Sequence, residues 1–418
     1  MTQRGVVADI NVFVDRAPPN VCLIFGFADD ELVLGRTAGV DPRQDNQRAT
    51  VSEFAANEVA PLAVEVDAEE KFPKKQMEGL ADLGLLGLSI SEEAGGAGGG
   101  YRDLMVVLEE LGAVCGSTST VVATHISLSA QTIAKNGDED QLRRFIPDMA
   151  AGKRIGAFAL TEPGTGSDAL MLSTTAVQDG DDYVVNGTKH FITNSEAADI
   201  FVVFVTHDRA LRYKGISALV IERDTPGFSI VPQHGKMGMR GSSTAELIFD
   251  DCRVPVANRL GGEGEGYSIA LKTLDSSRVS IAAQCIGLAR GALDAAISYA
   301  TQREAFGGPL SDKQAIAFML ADMATEVDAA RLMTYRAAAL VDEGLPHGVE
   351  SAMAKLYASE SAGRVAHKAL QVHGGTGYFQ PSTVERIYRD QRVTEIYEGT
   401  SEIQKLVISR ALIDNANG

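Results

Sequence analysis

The apolar period of this chain changes twice, from helical to strand-like near Gly156 and back to helical at Tyr267, and few architectures accommodate that order. Val51, Phe54, Ala55 and Val59 recur near helical spacing, and Pro61 is expected to end that first helix. Helical segments follow at residues 104–114, 120–134 and 139–151, and the glycines from Gly95 to Gly100 read as a flexible connector. Past Gly156, Asp179-Gly180 lies between β-prone runs, and Asn186-Gly187 reads as a second return into residues 188–192; both dipeptides signal hairpins. Runs at 200–205, 216–221, 228–231 and 245–249 continue the strands. With no long helix between them, an antiparallel barrel or sandwich is expected rather than a doubly wound sheet. From Tyr267 onward, Ile281, Cys285, Leu288, Ala292, Ala296 and Tyr299 mark one buried helical stripe, and Ile316, Leu320, Met323 and Val327 another. Long helices with short joints point to a bundle.

At 418 residues the chain has room for two or three domains. Its formal charge of −18 excludes nucleic acid as the natural partner, because phosphates would be repelled. No apolar run approaches the roughly 20 residues that span a bilayer, so no membrane insertion is expected. The short apolar patch at 21–27 runs into Asp29, Asp30 and Glu31 instead of a cleavage site, which reads as a cytoplasmic protein. Cys22, Cys115, Cys252 and Cys285 are scattered, as expected of reduced, buried thiols, and the histidines show no metal-binding spacing.

Three segments carry chemistry. Ile396-Tyr397-Glu398-Gly399-Thr400 sets a carboxylate beside an aromatic ring and a glycine, which lets a ligand approach the backbone closely. Phe158 to Asp168 leaves a strand and enters a turn rich in glycine and hydroxyls, able to bond the edge of a planar heterocycle without filling its space. Phe191-Ile192-Thr193-Asn194 adds a flat ring and another hydroxyl. The Gly-rich runs at 95–100 and 261–266 lack the spacing of a dinucleotide site, and Glu263 and Glu265 would repel an anion.

These motifs resemble those of acyl-CoA dehydrogenases, most closely the short-chain, butyryl-CoA branch. The likeness runs from about residue 50 to the end through Thr161 to Asp168, Phe191 to Asn194, Met237 to Thr244 and Leu274 to Arg278. It continues through Arg303 with Phe306-Gly307, then Gln314, Gln371 with Gly374-Gly375-Thr376-Gly377, and Ile396 to Thr400. The resemblance implies an α+β multidomain fold: an unmatched extension over 1–45, an N-terminal helical domain over 46–155, a central antiparallel β-barrel over 156–265 and a C-terminal helical bundle over 266–418. It also implies a homotetramer that binds FAD and passes electrons to an electron-transfer flavoprotein.

By the same resemblance Glu398 is the catalytic base for an acyl-CoA substrate. Removing hydrogen across Cα–Cβ of a thioester takes a proton from Cα and a hydride from Cβ, the second to a flavin. Phe158, Leu160, Thr161, Phe191 and Thr193 are implied at the isoalloxazine, and Ser167 near the pyrophosphate and the CoA arm. Arg303, Gln314, Gln371, Gly374 and Gly375 are implied at the ADP half, with Thr400 and Glu402 also touching FAD. Tyr397 and Gly399 are expected beside the substrate. Asp275 and Arg278 match positions near the CoA arm, with a buried structural ion pair as the other role open to them.

The chain departs from the pattern where most relatives carry Trp and it has Phe191, and where Gly is usual and it has Ser195 and Ser277. Ser277 also stands where the isovaleryl-type branch carries its base, which favours the straight-chain geometry with Glu398. An oxidase using oxygen, a branched-chain or dicarboxylyl dehydrogenase, and a silent scaffold are the competing expectations. The extension, with β-prone runs split by Pro18-Pro19, is expected to touch neither flavin nor substrate.

Overall fold

The first helix among the described residues, α1, spans Pro42–Phe54. The apolar period alone would start that helix only at Asn46. A computed structural model describes residues 42–417, so the expectations for the N-terminal extension and for Cys22 lie outside the described residues. Beyond α1 the helical path continues through a π turn at Ala55–Val59 and a 3-10 turn at Ala60–Leu62 into α2 (Ala63–Ala68). Pro61 therefore tightens the path without ending it, because it sits in the first turn of a new segment, where no donor is needed.

The helical N-terminal part continues with α3 (Lys74–Asp82), α4 (Tyr101–Val114), α5 (Gly116–Ala123), α6 (Gln131–Asn136) and α7 (Glu139–Ala150). A capping box starts α7: Asp138 accepts from the Gln141 N–H at 2.9 Å, and Gln141 Oε1 accepts from the Asp138 N–H at 3.0 Å. The glycine run before α4 is not a flexible connector. Gly96, Gly98 and Gly99 donate their N–H groups to Ser91, Ile90 and Leu88 carbonyls at 2.9, 2.8 and 2.7 Å, which folds the segment back onto itself.

Eight strands follow: β1 (Gly156–Ala159), β2 (Thr175–Asp179), β3 (Asp182–Thr193), β4 (Ile200–Thr206), β5 (Ile216–Glu222), β6 (Phe228–Pro232), β7 (Thr244–Pro255) and β8 (Arg259–Leu260). They form one sheet in the order β6-β7-β3-β2-β4-β5-β8, with β1 added beside β4. The expectation of a purely antiparallel sheet is corrected, since β1 runs parallel to β4 from Gly156↔Ile200 to Ala159↔Val203. The long excursion between those strands supplies the crossover that parallel pairing needs. Asp179-Gly180 does close the β2–β3 hairpin, in register Asp179↔Asp182. Asn186-Gly187 does not turn the chain; β3 runs through it with a register shift against β7. Asn186 locks that irregularity by accepting the Asp251 N–H at 2.8 Å and donating to Asp251 Oδ1 at 3.0 Å.

The C-terminal part comprises α8 (Gly266–Gln302), the short pair β9 (Glu304–Ala305) and β10 (Gly308–Pro309), then α9 (Gln314–Asp342) and α10 (Gly348–His373). The brief α11 (Gly375–Tyr378), α12 (Thr383–Asp390) and α13 (Ser401–Asn417) complete it. The stripe from Ile281 to Ala296 is buried, as its spacing requires, in a core shared with α4. That crossing is tight: a Cβ on Gly291 would stand 2.1 Å from the Ala113 carbonyl oxygen, so only glycine fits. Beside it Glu109 and Glu110 lie buried against Arg331 at 2.8 Å and Arg290 at 2.7 Å, with Arg48 reaching both carboxylates. The fold is thus helical at both ends around a central sheet. Among the described residues no helix is long and apolar enough to cross a membrane, and no cluster of His, Cys, Asp or Glu is placed to hold a metal ion.

Candidate active site

Glu398 lies on the loop into α13, and its backbone is left-handed with φ 51°, followed by Gly399 at φ 92°. Such a conformation is unfavourable for a residue with a side chain and persists only where its surroundings hold it. Here they do. Lys355 Nζ on α10 donates to the Gly399 carbonyl at 2.7 Å, and Gln404 Nε2 on α13 donates to the same oxygen at 2.8 Å. Upstream, the Tyr397 hydroxyl donates to Gln284 Oε1 on α8, and Gln284 Nε2 donates to the Gly116 carbonyl at 3.0 Å. Downstream, Thr400 caps α13 by accepting the Ile403 N–H at 3.4 Å.

The Glu398 carboxyl sits in this frame with Oε2 buried and without a hydrogen-bond partner. Burial raises its pKa to about 7, while the Ser277 hydroxyl and the charges of Lys355 and Arg278 pull the other way. Arg278 is buried and pairs with Asp275 at 2.5 Å, and its Nε has no partner. The structural ion pair that the sequence left open for Asp275 and Arg278 is therefore present, and it lies near Glu398. Tyr397 has its phenol pKa pushed well up by burial. Glu402, in the first turn of α13, is exposed, and backbone and Thr400 hydrogen bonds lower its pKa.

A second group forms at the sheet. The His190 N–H donates to the Thr161 carbonyl at 2.9 Å, which brings the turn after β1 against the end of β3. Lys189 Nζ, fully buried, donates to the Leu160 carbonyl at 3.2 Å and to Glu162 Oε1 at 2.8 Å. Glu162 in turn accepts from the Ser173 N–H at 2.6 Å and the Thr174 N–H at 3.0 Å. Burial alone would raise the Glu162 pKa, but Lys189 and these donors hold it at about 2, so the carboxylate stays ionised. Above this anchor Leu160, Thr161 and Thr193 are half-buried, Ser167 is exposed, and the Phe191 ring is 64% exposed on a left-handed backbone. Phe158 is packed in the core 4.9 Å from Phe204, in the cluster against which Leu160 also rests. Around Gly164 and Gly166 nothing lies within 4 Å of where a Cβ would be. An exposed aromatic, free backbone and open glycines at one edge fit the ring end of a flavin.

A third group lies at the far end of the bundle. Tyr299 stacks on His373 at 4.4 Å, which puts the C-terminus of α8, with Arg303, beside Gln371, Gly374 and Gly375. Arg303, Gln314 and Gln371 are exposed, and nothing crowds the two glycines. Arg278 and Arg303 stand on one helix about seven turns apart, roughly 37 Å at 1.5 Å per residue. Phe306, Phe318, Tyr378 and Phe379, exposed by 95, 60, 75 and 72%, surround the third group with apolar surface.

Sequence reasoning singled out Glu398, Thr161, Phe191 and Thr193 but missed Lys189, Lys355, Gln284 and Gln404, and it took Glu162 only as part of the turn without its buried partner. An isolated Lys or Gln within a helix or strand has no sequence pattern that marks it as buried. Ser277, read in the sequence as favouring the straight-chain geometry, donates its hydroxyl to the Leu274 carbonyl at 3.3 Å and lies near enough to Glu398 to lower that group's pKa.

Comparison with known proteins gives the same arrangement a lineage. Family models for the acyl-CoA dehydrogenase N-terminal, middle and C-terminal domains match residues 41–153, 157–252 and 264–413. The short-chain specific acyl-CoA dehydrogenase of Clostridium acetobutylicum is 47% identical over 366 residues, covering 88% of this chain and 97% of that protein. The butyryl-CoA dehydrogenase structure from Megasphaera elsdenii superposes with TM-score 0.88 at 39% identity, covering 90% of this chain and all of that one (100%). A chain in a structure of the electron transferring flavoprotein of Acidaminococcus fermentans gives TM-score 0.89 at 42% identity, covering 90% and 99%. With the motifs in order, the base loop and sheet edge built from them, and all three domain models matched in sequence, this chain belongs to the acyl-CoA dehydrogenase family.

Proposed function

We propose that this protein is an FAD-dependent dehydrogenase that converts a short-chain acyl-CoA to its trans-2-enoyl-CoA, with Glu398 as the base, and delivers the electrons to an electron-transfer flavoprotein. The observation that carries this reading is the Glu398 carboxyl, buried, unpaired at Oε2 and with its pKa raised to about 7 on a loop braced from three helices. A carboxylate of that pKa is matched to accepting a proton near neutrality. Short-chain and butyryl-CoA relatives support the substrate class, and the flavoprotein-associated neighbour supports the acceptor.

Glu398 takes the α-proton onto its carboxylate. Its own backbone N–H is free to donate to the thioester carbonyl oxygen, where negative charge develops; the loss of one donor of this kind typically costs roughly 3 kcal/mol. Leu160, Thr161, Thr193 and Phe191 would hold the flavin ring and Ser167 the adjoining pyrophosphate. Arg303, Gln314, Gln371, Gly374 and Gly375 would hold the ADP half from a neighbouring subunit, with Thr400 and Glu402 at the junction. FAD, when bound, takes up the β-hydride. Tyr397 and Gly399 flank the acyl group, and Arg278 with Asp275 orders the helix beside it. The protein is further read as a homotetramer, and the exposed apolar surface around the third group supports an assembly contact there. We further read the sheet as curled toward a barrel, the division at 45/46, 155/156 and 265/266 as that of the domains, and the protein as cytoplasmic.

Purified protein should be yellow, and butyryl-CoA should bleach it without oxygen. Glu398→Gln should retain FAD and ligand but lose at least roughly 10²-fold in turnover. A variant that keeps a tenth of the wild-type rate rules Glu398 out as the base. Peroxide formed in air at the dye-linked rate would make oxygen the acceptor.

A further inference from the structure

Lys355 is fully buried on α10, yet its ammonium forms no ion pair among the described residues. A buried charge without a counter-ion is strongly disfavoured, so its position calls for a compensating role. Its one hydrogen bond, 2.7 Å to the Gly399 carbonyl, lands on the turn that carries the base. Gln404, also fully buried, donates to the same oxygen. A Cβ on Gly399 would stand 2.7 Å from Gln404 Nε2, so turn and donor fit closely. Two buried donors on separate helices thus converge on the second of two consecutive left-handed residues.

We propose that Lys355 is a positioning residue for Glu398: its ammonium fixes the left-handed Glu398–Gly399 turn through the Gly399 carbonyl, and its charge favours the carboxylate form of the base. The inference rests on the reading of Glu398 as that base. Two consequences follow from one side chain. The hydrogen bond aims the carboxyl and keeps the Glu398 N–H toward the substrate space. The positive charge offsets part of the desolvation that burial imposes on the carboxylate. Arg278 and Ser277 act on Glu398 from α8, Tyr101 approaches it from α4, and Tyr397 lies beside it in the loop. Cys285 on α8 and Glu395 in the preceding turn complete the groups around Lys355. Arg278 is already committed to Asp275, whereas Lys355 has no carboxylate partner to share its charge.

Lys355→Gln and Lys355→Met in the FAD-bound enzyme separate the two effects, since the amide keeps a donor without charge and the thioether keeps neither. Infrared difference titration reads the Glu398 carboxyl directly, its band being identified by its loss in Glu398→Gln. The wild-type midpoint near 7 should move up by about one pH unit in both variants, and the acid limb of kcat/KM should move with it. At high pH, Lys355→Gln should regain near wild-type kcat, while Lys355→Met should stay about tenfold lower with KM little changed. A folded, FAD-bound Lys355→Gln whose Glu398 band titrates at the wild-type pH overturns the inference, and this holds even where Lys355→Met fails to fold. An active Glu398→Gln removes the base assignment itself. An inactive Glu398→Gln beside an unshifted Lys355→Gln leaves that assignment standing and removes only the role of Lys355.

Discussion

Glu398 shows how one residue sets a pH dependence of both activity and stability. Its folded pKa, about 7, lies above the ordinary carboxylate value, so the folded state binds the proton more tightly than the unfolded chain. The stability from this group is therefore full below pH 4.5 and is lost as pH rises through 7. Glu398→Gln removes that loss. The difference in melting temperature between the variant and wild type should grow in favour of the variant from pH 5 to pH 8, read by differential scanning fluorimetry. A difference that stays flat would mean that the carboxyl is not buried in solution. Turnover by the proposed base has the opposite dependence, because a carboxylate accepts a proton only when ionised, so activity should rise with pH through the same region. The residue thus trades stability for a usable base.

At the scale of elements, the turn after β1 is only as well placed as the ion pair beneath it. Lys189 on β3 and Glu162 on the turn are both buried, and each has the other as its counter-charge. Lys189→Met strands a buried carboxylate, which typically costs about 3–5 kcal/mol. Reduced melting temperature is the first expected outcome. The second is specific to the turn: FAD should dissociate more readily, seen as a higher free-flavin fraction on dilution. Glu162→Gln combined with Lys189→Met, which removes both charges, should recover part of the stability. The Asn186-Gly187 irregularity belongs to this scale too. Its dipeptide has the composition of a hairpin, and what overrode it was the pairing of β3 with β7 on both sides, which a turn would have given up.

Across the whole molecule, the helical parts before and after the sheet are joined by the buried charges of Glu109 and Glu110 with Arg48, Arg290 and Arg331. Burial alone would raise the Glu109 pKa, but Arg331, Arg48 and Arg290 hold it at about 2, so its contribution is present above 4.5 and fades as pH falls toward 2. His125, with a pKa lowered to about 4 by burial, adds a loss of the same sign between 6.5 and 4. Acid should therefore unfold the protein, and Arg331→Met should destabilise it at pH 7 by about 3–5 kcal/mol in denaturant titration. High salt should not mimic the variant, because the pair is shielded from solvent. Assembly is a separate matter. Phe318→Asp places a charge in the exposed aromatic surface beside Gln314 and should reduce the particle mass by light scattering and weaken FAD retention together. Loss of one without the other would separate the interface from the cofactor.

The order of helices, strands and helices was legible because apolar periodicity is a local property, and Asp179-Gly180 was legible because a tight turn is chosen by its own two residues. Glu398 and the Thr161 and Phe191 segments could be singled out as candidates because their chemistry is written in contiguous motifs. Other features depend on partners far away in sequence. The parallel β1–β4 pair, the burial of Lys355 against Gly399 and the bond of Tyr397 to Gln284 each join residues separated by roughly 40 positions or more, and no window of sequence contains both members. The sequence by itself determined the order of helical and strand-forming regions and singled out Glu398 as the candidate base. Only the tertiary structure decided the raised pKa of that group, because desolvation and the charges that oppose it arise when separate helices close around one carboxyl.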